Sequence, residues 1–134
     1  HTGYVVPQRP AADGAPRGPH LLVSAGRGIV GEAAVDFIRQ FKVDYAVIGA
    51  SAIDDDGALL DYDFREVKVA QAIIANARHV ILVADSTKFE RTAPVRIAHI
   101  SQVHTFVTDR CFPPSIRRIC RENNVDLIET SPEA

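Results

Sequence analysis

The sequence has no methionine, only two cysteines, and no apolar run near the ~20 residues that a membrane-spanning helix requires. From the first of these absences, with a chain that starts at His1, an excerpt of a longer gene product is expected. The second excludes a disulfide scaffold. Cys111 and Cys120 have no second pair and no His at a metal-ligand interval, so two buried thiols are expected, with a disulfide as the alternative. No signal-peptide layout opens the chain, and a cytoplasmic protein without membrane contact is expected. A basic block is missing too. Fifteen Lys and Arg against seventeen Asp and Glu leave a net charge of −2, spread along the chain, which argues against direct binding of DNA by this segment. Neither GxGxxG, GxxxxGK[ST] nor GxSxG occurs, so no nucleotide loop, hydrolase elbow or cofactor site is encoded; "GRGIVG" does not follow the dinucleotide fingerprint.

What is present suits one domain. A chain of 134 residues, 46% hydrophobic and 24% charged, can bury a single core. Residues 1–19 include "PQRPAADGAPRGP", rich in Pro and Gly and without apolar periodicity, and are expected to be a flexible or linker segment. From residue 20 to 134 the pattern is regular. "HLLVSAG" reads as a strand, and "GEAAVDFIRQF" as a helix with Ala34, Phe37, Ile38 and Phe41 on one face. "VDYAVIGA", "HVILVAD", "HTFVTD" and "VDLIE" read as further strands. A helix is expected over Asp63–Ala77, with Val67, Ala70, Ile74 and Ala77 inward and Asp63 and Glu66 as a capping pair. Pro113 and Pro114 open a last helix that buries Ile116, Ile119 and Cys120 and ends at Asn124 in a left-handed conformation. Near-continuous apolar strands alternating with helices predict an α/β fold, an open, mostly parallel sheet with helices on both faces.

In such sheets ligands collect outside the carboxyl ends of the strands. Three strands there run into polar loops, which would bring Ser51, Asp54, Asp85, Lys88 and Asp109 toward one cleft of mixed charge. Lys88 is the clearest ligand candidate, as a point charge for phosphate or carboxylate, against the plainer reading of a surface Lys paired with Asp85. Asp55 and Asp56 read more simply as a solvated turn before Gly57, Asp109 as a turn cap, and Glu66 as part of a helix cap. His79, His99 and His104 lack partners at ligand spacing, and no metal site is expected.

The stretch "GIVGEAAVDFIRQFKVDYAVIGASAIDDDGALLDYDFREVKVAQAIIANARHVILVADSTKF", with "VHTFVTD" after it, resembles the effector-sensing domain of DeoR-type bacterial repressors from Gly28 to Asp109 and more loosely beyond. The resemblance implies a fold shared with ribose-5-phosphate isomerase. It also implies a phosphorylated polyol or sugar as effector, glycerol 3-phosphate favoured, and operator DNA bound only through a helix-turn-helix domain outside this chain. The family's Asp-x-x-Lys falls on Asp85 and Lys88, its strand-end Gly-x-Ser on Gly49 and Ser51, and its helix-start acid on Glu66. These five are the implied ligand positions, with no catalytic residue and a homo-oligomer as the working form. The family's Gly-Thr-Thr loop and Thr-Asn-Ser segment are missing, so the domain is expected to be incomplete at its N-terminus. Isomerases of this fold carry Gly-Ala-Asp-Glu where Gly49-Ala50-Ser51-Ala52 stands here. Losing both carboxylates keeps hydrogen bonding to a sugar and removes the base that isomerisation needs. The alternatives are an isomerase-like enzyme and a segment that mainly supports oligomerisation.

Overall fold

Val43–Ile48 and Ala77–Val83 are rich in β-branched and apolar residues, and they pair in parallel from Val43 opposite Ala77 to Ile48 opposite Leu82. This pairing is the centre of a computed structural model that describes residues 3–6, 35, 36, 38–40 and 42–131. In chain order the strands are β1 (Gly3–Val6), β2 (Val43–Ile48), β3 (Ala52–Ile53), β4 (Ala58–Asp61), β5 (Ala77–Val83), β6 (Val95–His99), β7 (Thr105–Thr108) and β8 (Asp126–Glu129). Helix α1 (Phe64–Asn76) precedes β5, and α2 (Pro114–Glu122) precedes β8. The main sheet has the order β1-β2-β5-β7-β8, parallel throughout except for β1, which pairs antiparallel with β2. The fold is the α/β class expected, a mostly parallel sheet with helices.

Two features depart from the sequence reading. Gly3–Val6 lies within the segment expected to be a linker, yet forms a sheet strand. A second, three-stranded antiparallel sheet, β3-β4-β6, draws β3 and β4 from the stretch read only as a polar turn leading to a helix and β6 from a stretch assigned no element. Its strands are two to five residues long, too short for alternation to declare itself. The expected strand in "HLLVSAG" lies outside the described residues, as do Ala34, Phe37 and Phe41 of the first helix. Val35, Asp36 and Ile38 are helical, and Val35 and Ile38 are buried.

Helix α1 begins at Asp63, whose side chain accepts from Arg65 N at 2.8 Å. The acceptor thus serves mainly the second helical residue, with a weaker contribution from the Glu66 N–H. The helix buries Val67, Ala70 and Ile73, with Val69 and Ala72 beside them, and runs directly into β5. Its Gln71 amide donates to the carbonyls of Arg96 at 3.3 Å and Ile97 at 3.1 Å, satisfying acceptors along β6. Phe106, Ile48, Leu82, Ile73 and Ile116 are among the largest fully buried side chains of the core.

Helix α2 starts at Pro114, where a missing N–H costs nothing, and buries Ile116 and Cys120. Asn124 follows with φ of 57°, the left-handed stop expected there. Both cysteines are free and buried. Burial pushes the Cys111 thiol up to about 11, so it stays protonated and unreactive at neutral pH.

Gly57 closes the β3–β4 hairpin with φ of +92°. A Cβ there would stand 2.6 Å from His99 Nε2, which donates to the Asp56 carbonyl at 2.7 Å. Gly57→Ala combines that clash with left-handed strain, and a loss of about 1–3 kcal/mol is expected in urea unfolding. Unchanged stability would show that the hairpin can relax freely.

Candidate functional site

Because β2 and β5 run side by side in the same direction, the segments that follow them emerge on one rim. After β2 comes Gly49-Ala50-Ser51, which leads into β3. After β5 come Ala84 and Asp85, then a 3₁₀ helix, Ser86–Glu90. Between them lies a cleft of about 580 Å³, within the range of roughly 300–1,000 Å³ usual for small-molecule sites. Its lining includes Gly49, Ser51, Asp61, Asp85 and Lys88, with Val47, Ile48, Ala50, Val83 and Ala84 as the apolar part.

Asp85 organises one wall. Its carboxylate accepts from Thr87 N at 2.9 Å and from the Thr87 hydroxyl, capping the 3₁₀ helix. Its other oxygen lies 3.3 Å from Lys88 Nζ. The Lys88 side chain is only 23% exposed. The plainer reading of this lysine, a pair with Asp85, is present in the structure, and Lys88 also lines the cleft. The Thr87 hydroxyl, then the Thr87 N–H and Lys88, draw Asp85 below the ordinary carboxylate value, despite an opposing contribution from burial.

Asp109, at the end of β7, braces the same turn from behind. It accepts from Ser86 N at 2.6 Å and Ser86 Oγ at 3.0 Å, and the Ser86 N–H is the main cause of its lowered pKa. Its part is therefore structural, and it is not among the residues lining the cleft. Asp54 is also placed elsewhere than expected. It sits exposed in the β3–β4 turn, where Gly57 N donates to its carbonyl at 2.9 Å. Four of the five ligand candidates, Gly49, Ser51, Asp85 and Lys88, come together. Glu66, half-buried in the first turn of α1, does not line the cleft.

The opposite wall holds a residue that the sequence reading missed. Ser51 N donates to the Leu60 carbonyl at 2.9 Å, and Ser51 Oγ donates to Asp61 Oδ1 at 2.8 Å. Tyr62 N donates to that same oxygen at 2.7 Å. Asp61 is 4% exposed, and its Oδ2 is buried without a hydrogen-bond partner among the described residues. The available signal was an Asp ending the apolar run "ALL", a position where a carboxylate is out of place unless something holds it.

Residues 22–110 match the family described as the DeoR C terminal sensor domain. The chain belongs to that family. Among its relatives is the glycerol-3-phosphate regulon repressor of Escherichia coli K12, 44% identical over 106 residues, or 79% of this chain and 42% of the relative. The Haemophilus influenzae protein of that name is 46% identical over 101 residues, 75% of this chain and 39% of the relative. The HTH-type transcriptional repressor CsqR of E. coli K12 is 34% identical over 113 residues, 84% and 43%. The chain thus spans about two fifths of the length of these relatives. All three are named as repressors, none as an enzyme. Among the described residues of this sensor domain, no cluster of three or more His, Cys, Asp or Glu could hold a metal ion, and no helix is long and apolar enough to cross a membrane.

The lowered pKa of Asp85 fixes the sign of a pH effect. A carboxylate whose folded pKa lies below its unfolded value contributes stability that is fully present above the unfolded value and lost as pH falls through the folded one. The turn that carries Lys88 is therefore expected to loosen only below the ordinary Asp value of 3.8. In side-chain NMR titration, Thr87→Ala is expected to move the Asp85 pKa upward and leave that of Asp109 in place. An unmoved Asp85 would contradict the assigned cause.

Proposed function

We propose that this chain is the effector-sensing part of a DeoR-type transcriptional repressor, with residues 20–134 as the sensing domain. It binds a phosphorylated polyol or sugar and does not turn it over. The observation that carries this reading is the strand-end cleft with the Lys88 ammonium on one side and the Gly49–Ser51 loop on the other. A fixed cation suits a phosphate, and backbone amides and hydroxyls suit the remainder of a sugar or polyol. The names of two of the relatives favour glycerol 3-phosphate. Gly49, Ser51, Asp85 and Lys88 form the proposed binding set, while Glu66 is included on the family resemblance alone.

A ligand can shift a conformational equilibrium only by its difference in affinity for the two states. Effector bridging the loops after β2 and β5 favours the closed arrangement of those loops. In a cytoplasmic homo-oligomeric repressor, closure changes the spacing of the DNA-binding domains carried elsewhere in the protein and operator binding is lost.

Calorimetry with glycerol 3-phosphate, unphosphorylated glycerol and a hexose phosphate tests the reading. Saturable binding that requires the phosphate is expected, with Lys88→Ala weakening it about tenfold or more, the usual scale for a charge-assisted contact. Unimpaired binding by Lys88→Ala, or equal binding of glycerol, would refute it.

A further inference from the structure

The carboxyl of Asp61 is held in an unequal way. Oδ1 takes two donors, Ser51 Oγ at 2.8 Å and Tyr62 N at 2.7 Å, whereas Oδ2 takes none among the described residues. Leaving a buried acceptor without a donor costs free energy, and a protein rarely tolerates it without a use for the group. Asp61 is 4% exposed and is among the residues that line the cleft. The side chain cannot easily turn away. Ser51 is itself tied to Leu60 through its N–H, and the Tyr62 amide follows directly in the chain.

We propose that Asp61 sets the specificity of this cleft, accepting a hydrogen bond from a free hydroxyl of the effector and rejecting phosphate esters that carry a carboxylate. The proposal rests on the phosphate-sensing reading above and adds the part of the ligand remote from the phosphate. As a carboxylate, Asp61 offers acceptors only, so its ligand partner must be a donor. A hydroxyl meets that need. A ligand carboxylate brings a second negative charge to a shielded site, and a bare alkyl chain leaves Oδ2 unsatisfied; both are penalised. Discrimination of this kind is strong because a site built to hydrogen-bond a hydroxyl is left with an unpaired buried group when the hydroxyl is missing. Lys88 and Asp61 thus divide the work, the one attracting the phosphate and the other reading what the phosphate is attached to.

The test compares three phosphate esters of similar size by calorimetry: glycerol 3-phosphate, propyl phosphate, which lacks hydroxyls, and 3-phosphoglycerate, which carries a carboxylate. The wild-type chain is expected to prefer glycerol 3-phosphate over each of the others by about tenfold or more. Asp61→Asn keeps an acceptor for Ser51 and Tyr62 and places an amide where Oδ2 stood. It is expected to lose affinity for glycerol 3-phosphate, leave propyl phosphate within about twofold, and bind 3-phosphoglycerate about tenfold better. A residue that only holds the loop in shape would weaken all three together, and that result would overturn the proposal. So would a wild-type chain that binds propyl phosphate as well as glycerol 3-phosphate, which would leave the phosphate reading intact. If the wild type binds none of the three, the phosphate reading itself fails and the role of Asp61 falls with it.

Discussion

The parallel pairing of β2 with β5 is the constraint on which the cleft depends. Its register, Ile48 opposite Leu82, makes the two chains leave the sheet side by side, so that Gly49 and Ala84 open adjoining loops. A change of one residue in that register would turn the buried Ala46, Ile48, Val80 and Leu82 out of the core. Burial of these side chains therefore fixes the position of polar groups that contribute nothing to burial themselves. Ala84 N continues the order one step past the strand, donating to the Val107 carbonyl at 3.1 Å and tying the loop after β5 to β7.

On that frame each wall of the cleft is secured by its own short-range hydrogen bonds. Asp85 caps the turn that holds Lys88, and Asp109 reaches across from β7 to fix Ser86. On the other side the small antiparallel sheet serves as a bracket, with Ser51 and Asp61 joined at its mouth. The hairpin turn at Gly57 and the His99 side chain keep β3, β4 and β6 together. Both walls thus present a charged group by way of backbone that is locked locally. Pre-organisation of this sort lowers the entropy that binding of a ligand would have to overcome.

Strands β2, β5 and β7 of the main sheet were legible because burial writes apolar runs, and the helices because Asp63 and Pro113-Pro114 mark their starts, whereas β1 lay in a segment read as a linker. The second sheet was not legible. Ala52–Ile53 and Ala58–Asp61 are too short to show a period, and Asp55 and Asp56 between them read as a solvated turn, which they are, without revealing that the turn closes a hairpin. That omission also hid Asp61, since a carboxylate followed by Tyr62 and Asp63 looks like the polar approach to a helix. Its burial depends on the pairing of β4 with β3 and β6, a long-range fact that local pattern does not carry. The pairing of Lys88 with Asp85 was legible because the two stand three residues apart in one turn. Asp109 and Asp54 were sent to the cleft on topology alone, and the structure uses them to hold turns.

The most direct measurement is a titration of the 15N-labelled chain with glycerol 3-phosphate, followed through the backbone amide signals. Shifts are expected to saturate together at Gly49, Ser51, Tyr62, Thr87 and Lys88, on the two walls of one cleft, while Asp126–Glu129 in β8 stays unmoved. Shifts confined to other residues, or none on reaching millimolar ligand, would contradict the proposed site.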